Sequence, residues 1–269
     1  MTVALHAEPA GPAAAPALLL GGSLGTTLAM WEPLLTALDE TSGPPLRAIP
    51  FDHRGHGRSP RGGDDAPSIA AMGADVLALL DRLGLRRASY AGLSIGGMVG
   101  IWLAANAPER IETLTLICTS AQLPPAGAWR ARAATVRAAG GTAPVADAVF
   151  ARWLTPAFQH AHPQATQTLR EMLLASPPDG YADACEAIAA MDLRGDLPRI
   201  QAPTLVIAGQ EDEAIPPAHG EQLAAAIPHA TLRLLSPAAH IGAVEQAPAV
   251  AALLRAQLEA VTPDPMEPA

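Results

Sequence analysis

Short apolar runs alternate with stretches in which apolar residues return every three or four positions, and this rhythm holds over most of the chain. Ala17 to Leu20, Leu46 to Pro50, Ala88 to Ala91, Ile111 to Cys118, Pro203 to Ala208 and Thr231 to Leu235 read as strands bounded by Gly, Pro or polar residues. Trp31 to Leu38, Ser68 to Leu83, the segment carrying Met98, Ile101 and Leu103, Pro217 to Ile227 and Ala243 to Leu258 read as helices. Ile69, Met72, Val76, Leu79, Leu80 and Leu83 form one helical stripe that ends at Gly84. Strands separated by helices at this spacing predict a parallel sheet covered on both faces. At the amino end, Val3 to Leu5 reads as a short edge strand, and the Pro/Gly/Ala stretch through Pro16 as a loop.

The rhythm breaks between Thr119 and Pro198, where helical segments rich in the chain's few aromatics (Trp129, Trp153, Phe158, Tyr181) follow one another without a credible strand. The expected organisation is therefore a core of residues 1–118 and 199–269, with a helical cap inserted at 119–198. Such an insertion is long enough to roof the sheet's carboxyl edge. The last residues, TPDPMEPA, read as a frayed tail.

Composition narrows the class. With 269 residues, 49% apolar and 16% charged, the chain can bury a substantial core, and no apolar run reaches the length of a membrane span. A net charge of −9 argues against nucleic acid as a partner. Cys118 and Cys185 lie far apart with no metal-ligand spacing, which suits a reducing compartment. The opening residues carry no basic n-region, and the first arginine is Arg47, so a cytoplasmic location is expected.

The stretch ASYAGLSIGGMVG, Ala88 to Gly100, carries the candidate chemistry. It reads as strand, tight turn and helix centred on Ser94, with Gly92 and Gly96 two residues to either side. A nucleophile on such a turn takes a strained backbone that only small neighbours tolerate, and its oxygen stands at the free N–H groups of the following helix. A serine alcohol needs a base, and the base needs an acid to orient it. His240, in a small-residue loop after the last strand, is the preferred base; His160, His162, His219 and His229 are expected to be solvated. Asp212 is the preferred acid in the loop Gly209 to Pro217, with Glu211 and Glu213 remaining possible on spacing. The loop Gly21 to Thr27 is flexible enough to bring backbone N–H groups to the same place.

A second pattern, FDHRGHGRS from Phe51 to Ser59, resembles a His-x-x-His metal site only superficially. Glycines between the histidines make a turn rather than a helix, and no further ligands complete a set.

The order Ser, Asp, His is that of α/β-hydrolases. Together with GLSIGGMVGIWLAANAPERI, SLGTTLAMWEP, FDHRGHGRS, ADAVFARWLTPAF, GYADACEAIAAMDLR and AGQEDEAIPP, it makes nearly the whole chain resemble the 3-oxoadipate enol-lactonases within that superfamily. The chain departs from the family pattern at Gly22, Leu154 and a shortened amino-terminal hairpin. The resemblance implies an α/β-hydrolase fold with Ser94, Asp212 and His240 as a triad, and the backbone N–H groups of Leu24 and Ile95 as the oxyanion hole. It implies a small-molecule substrate that carries a carboxylate, for which Arg152 beside Trp153 is the candidate cation and ring wall, and it requires no metal or organic cofactor. Esterase, thioesterase and perhydrolase activity on the same triad, or a non-catalytic ligand receptor, are the competing readings.

Overall fold

The structure, a computed structural model, describes residues 1–63 and 66–260. The expected tail TPDPMEPA lies outside the described residues. Those residues form a six-stranded parallel sheet in the order β2-β1-β3-β4-β5-β6. The strands are β1 (Ala17–Gly21), β2 (Arg47–Phe51), β3 (Ala88–Leu93), β4 (Ile111–Ile117), β5 (Thr204–Gly209) and β6 (Thr231–Leu235). Every residue of β1, β3 and β5 is buried, which is why these strands read as continuous apolar runs rather than alternating ones.

The crossover helices are α1 (Glu32–Glu40), α2 (Ile69–Arg82) and α3 (Ile95–Asn106). Ser68 caps α2 by accepting the Ala71 N–H at 3.1 Å. Helix α3 is apolar on all sides because ten of its residues are buried, and it packs on β1, β3 and β4. Between β4 and β5 the described residues hold α4 (Ala126–Ala139), α5 (Ala143–Phe150), α6 (Pro156–Ala161), α7 (Pro163–Ala175) and α8 (Pro178–Ala190), with no strand among them. Then follow α9 (Pro217–Ala226), α10 (Gly242–Glu245) and α11 (Ala247–Glu259). Helix α11 packs on α1, and β4 touches both α3 and α11, so the sheet is covered on both faces.

Two expectations are corrected. Val3 to Leu5 forms no strand; the amino-terminal segment instead meets β2 through isolated antiparallel bridges, Ala7 to Phe51 and Ala10 to Ala48, and prolines between them prevent a ladder. Ala243 to Leu258 is two helices, because Pro248 has no N–H for a continuous ladder and the chain turns at Gln246 (φ −123°, ψ 39°).

Strand order reverses between β1 and β3, since the chain crosses to β2 on one side of β1 and to β3 and β4 on the other. In an open parallel sheet this switch point leaves a crevice at the carboxyl ends of the two strands. The loop after β1 and Ser94 after β3 both lie there.

Candidate active site

Ser94 adopts φ 56°, ψ −118°, a backbone region costly for any residue with a Cβ. Its surroundings hold it there. The Ser94 N–H donates to Ile117 O at 2.9 Å, and the Ser94 carbonyl accepts from Thr119 Oγ1 at 2.6 Å and from Met98 N–H at 3.1 Å. The flanking glycines are required by contact: a Cβ on Gly92 would stand 2.3 Å from the Gly96 carbonyl carbon, and one on Gly96 2.1 Å from Gly21 O. The turn can close only because both side chains are absent.

His240 Nδ1 and Asp212 Oδ2 are 2.9 Å apart and both side chains are buried. Because the carboxylate accepts from Nδ1–H, Nε2 is the ring nitrogen left to face the cavity's chemistry. The other Asp212 oxygen accepts the N–H groups of Ala214 and Ile215, each at 2.8 Å, so the acid cannot rotate away. The neighbouring carboxylates have other surroundings. Glu211 holds Ser236 Oγ and the Ala238 N–H, and Glu213 is exposed.

Ser94 and His240 line one cavity with Ser23 and Leu24, and among the described residues the Ser94 hydroxyl has no intrachain hydrogen-bond partner. Gly96 N–H donates to Gly22 O at 3.2 Å, which fixes the loop after β1 against the start of α3. The N–H groups of Leu24 and Ile95 have no acceptor among the described residues. They remain available to a developing negative charge.

The cavity's other wall comes from the helical layer: Trp129, Arg132, Val149, Arg152, Trp153 and Tyr181. Arg152 is half-buried, donates Nε–H to Ala148 O at 3.2 Å, and makes no ion pair among the described residues. Burial first, and then the charge of Arg132, hold its pKa below the usual range. Arg132 stacks 4.5 Å over the Trp129 ring and likewise has no carboxylate partner among the described residues. The Tyr181 hydroxyl lies beside Arg132 but has no hydrogen bond of proper geometry, and burial pushes its pKa up to about 12. Arg132, Trp129 and Tyr181 were not among the site residues expected from sequence. The pattern that points to Arg132 is its place one helical turn after Trp129.

His219 is not simply solvated: its Nδ1 lies 2.8 Å from Ser120 Oγ because the first turn of α9 packs beside the loop after β4. His160, His162 and His229 are exposed. A larger cavity of 440 Å³ opens at the strands' amino ends beside Arg87 and Arg255, away from this chemistry.

Residues 16–247 match the family described as alpha/beta hydrolase fold. The chain is 41% identical to 3-oxoadipate enol-lactonase 2 of Acinetobacter baylyi over 91% of its own length and 89% of the relative's. It superposes on the enol-lactonase from Burkholderia xenovorans with a TM-score of 0.89 at 38% identity, covering 96% of this chain and 97% of the other. A thermophilic esterase from Thermogutta terrifontis, in its malate-bound structure, gives a TM-score of 0.88 at 28% identity, covering 96% and 94%.

Proposed function

Because the chain belongs to the α/β-hydrolase family and shares its ester-hydrolysing kinship with the 3-oxoadipate enol-lactonases, we propose that it opens 3-oxoadipate enol-lactone to 3-oxoadipate through an acyl-Ser94 intermediate. The observation that carries this reading is the buried Asp212–His240 hydrogen bond behind the cavity that Ser94 and His240 line together.

Ser94 Oγ attacks the ring carbonyl while His240 Nε2 takes its proton, and Asp212 stabilises the imidazolium that forms. The tetrahedral oxyanion rests on the N–H groups of Leu24 and Ile95. Collapse breaks the ring C–O bond, and His240 returns the proton to the departing enol oxygen. That enol stays tethered to the acyl group, where re-closure competes at high effective molarity until tautomerisation to the ketone removes it. His240 then activates water, which releases Ser94 and the dicarboxylate.

Substrate choice follows from the other wall. A lactone with a free carboxylate brings the carboxylate partner that Arg132 and Arg152 lack among the described residues, and an acceptor for the Tyr181 hydroxyl beside them. Guanidinium offers parallel donors to a carboxylate, and the indoles of Trp129 and Trp153 flank the ring. The cavity measures 50 Å³, below the roughly 300 Å³ typical of small-molecule sites, and residues 119–198, which supply most of its lining, act in this reading as a cap that yields to the substrate. The esterase relative supports simple ester hydrolysis as the second reading.

Turnover of the enol-lactone and of p-nitrophenyl acetate by the same preparation tests the proposal. The expected kcat/KM on the enol-lactone exceeds that on the ester by about ten- to a hundredfold, the worth of a charge-assisted contact to the carboxylate. Faster turnover of the neutral ester would transfer the assignment to the second reading.

A further inference from the structure

We infer that His53 is a positioning residue of the active site: its ring holds the Gly22 carbonyl and so fixes the Leu24 N–H as an oxyanion donor. The inference rests on the serine-hydrolase reading above.

The pattern FDHRGHGRS, which has no role in the chemistry described so far, follows β2. In the parallel register Gly21 pairs with Phe51, so the loops after β1 and β2 leave the sheet side by side. Two adjacent buried side chains of the second loop grip the first at both ends. His53 Nε2 lies 3.2 Å from Gly22 O, and Asp52 Oδ1 accepts the Leu28 N–H at 2.7 Å. Asp52 Oδ2 meanwhile accepts the Arg58 N–H at 2.9 Å and lies 2.9 Å from His6 Nδ1, so the grip is itself anchored.

Between these two points the main chain ahead of Leu24 is tied on both sides. Gly22 O takes the Gly96 N–H as well as His53, so the peptide cannot rotate without breaking contacts on both sides. The Ser23 N–H points to Met30 Sδ at 3.4 Å, and Ser23 O accepts the Thr26 N–H at 3.2 Å and Thr26 Oγ1 at 2.8 Å. Leu24 N–H, the next donor along, is left over and borders the cavity with Ser94.

A carbonyl only accepts, so His53 must present Nε2–H to it. A neutral ring does this with one tautomer. Burial drives the His53 pKa down to about 3, with the nearby His56 adding to the shift, so the ring is neutral near pH 7. An edge contact to Phe51, with ring centroids 5.1 Å apart, sets its orientation. Preorganised donors are effective because they need no reorganisation as the oxyanion forms, and a displacement of about 1 Å costs on the order of a hundredfold.

The test compares His53→Ala and His53→Gln with wild type on p-nitrophenyl acetate, together with inhibition by a trifluoromethyl ketone whose hemiketal oxygen occupies the oxyanion position. His53→Ala is expected to lower kcat by about ten- to a hundredfold, with KM nearly unchanged and Ki for the ketone raised in parallel. His53→Gln, which restores an N–H near the Nε2 position, is expected to recover most of the loss. If His53→Ala does not fold, His53→Leu, which fills the space without a donor, takes its place. Folded protein with wild-type kcat and Ki, or a glutamine variant as poor as the alanine one, would overturn the inference. A Ser94→Ala control separates the two readings: its retained turnover would remove the serine mechanism, whereas its inactivity beside an unaffected His53→Ala would remove the positioning role alone.

Discussion

The main-chain N–H of Ile241 donates to the carbonyl of Trp153 across 2.8 Å, so the residue next to His240 is fastened to the helical layer above it. Glu245 reinforces the join. One of its oxygens accepts Thr155 N–H and Thr155 Oγ1, each at 2.7 Å, and the other accepts the Ala239 N–H at 2.5 Å. His240 and the Trp153 edge of the layer are therefore tied together through main chain on one side and the Glu245 carboxylate on the other.

Glu245→Ala removes that reinforcement and leaves only the main-chain bond between Ile241 and Trp153. The expected result is a loss of roughly 1–3 kcal/mol in urea unfolding, the worth of hydrogen bonds to a charged group. A fall of about tenfold in kcat should accompany it, as His240 loses its fixed position. Unchanged kcat in a folded variant would show that Asp212 alone positions the imidazole.

Buried neutral histidines give the fold a pH dependence. Burial is the largest cause of the lowered pKa of both His53 and His56, and for His53 the value falls from 6.5 to about 3. Between those values the unfolded chain holds a proton that the native ring does not, so stability falls as pH falls from 6.5 toward 3. The slope from His53 is about 1.4 kcal/mol per pH unit. Urea midpoints measured from pH 7.5 to 4.5 should show a flatter decline for His53→Gln than for wild type. Parallel curves would mean that the native ring takes up its proton near 6.5.

What the sequence made legible was local steric logic. Gly92 and Gly96 announce the Ser94 turn because no Cβ fits at either place. Asp212 and His240 lie in the loops that leave the neighbouring strands β5 and β6, so the sheet itself carries them to one edge. The missed features depend on faces and partners that only packing supplies. Arg132 and Tyr181 sit on helices whose cavity-facing side is set by the α4–α8 contact. The His219 bond to Ser120 joins residues 99 apart, and the amino-terminal segment bridges β2 where its own composition offers no strand.

The half-buried arginines make substrate charge measurable. Arg132→Ala and Arg152→Ala should each lower kcat/KM on the enol-lactone by about ten- to a hundredfold, with a much smaller loss on p-nitrophenyl acetate. Lysine at either position should recover part of the loss, since a point charge lacks the planar fork. Equal losses on both substrates would make the arginines supports of the helical layer rather than carboxylate ligands.

The central claim is that Ser94 is the nucleophile, and covalent capture tests it most directly. Wild-type protein treated with a fluorophosphonate should gain the mass of one adduct, mapped by peptide sequencing to Ser94, and lose esterase activity in proportion. Ser94→Ala should gain no adduct and turn over the ester slower by several orders of magnitude, on the order of 10⁴-fold or more. An adduct that persists in Ser94→Ala with activity retained, or one that maps to another residue in wild type, would contradict it.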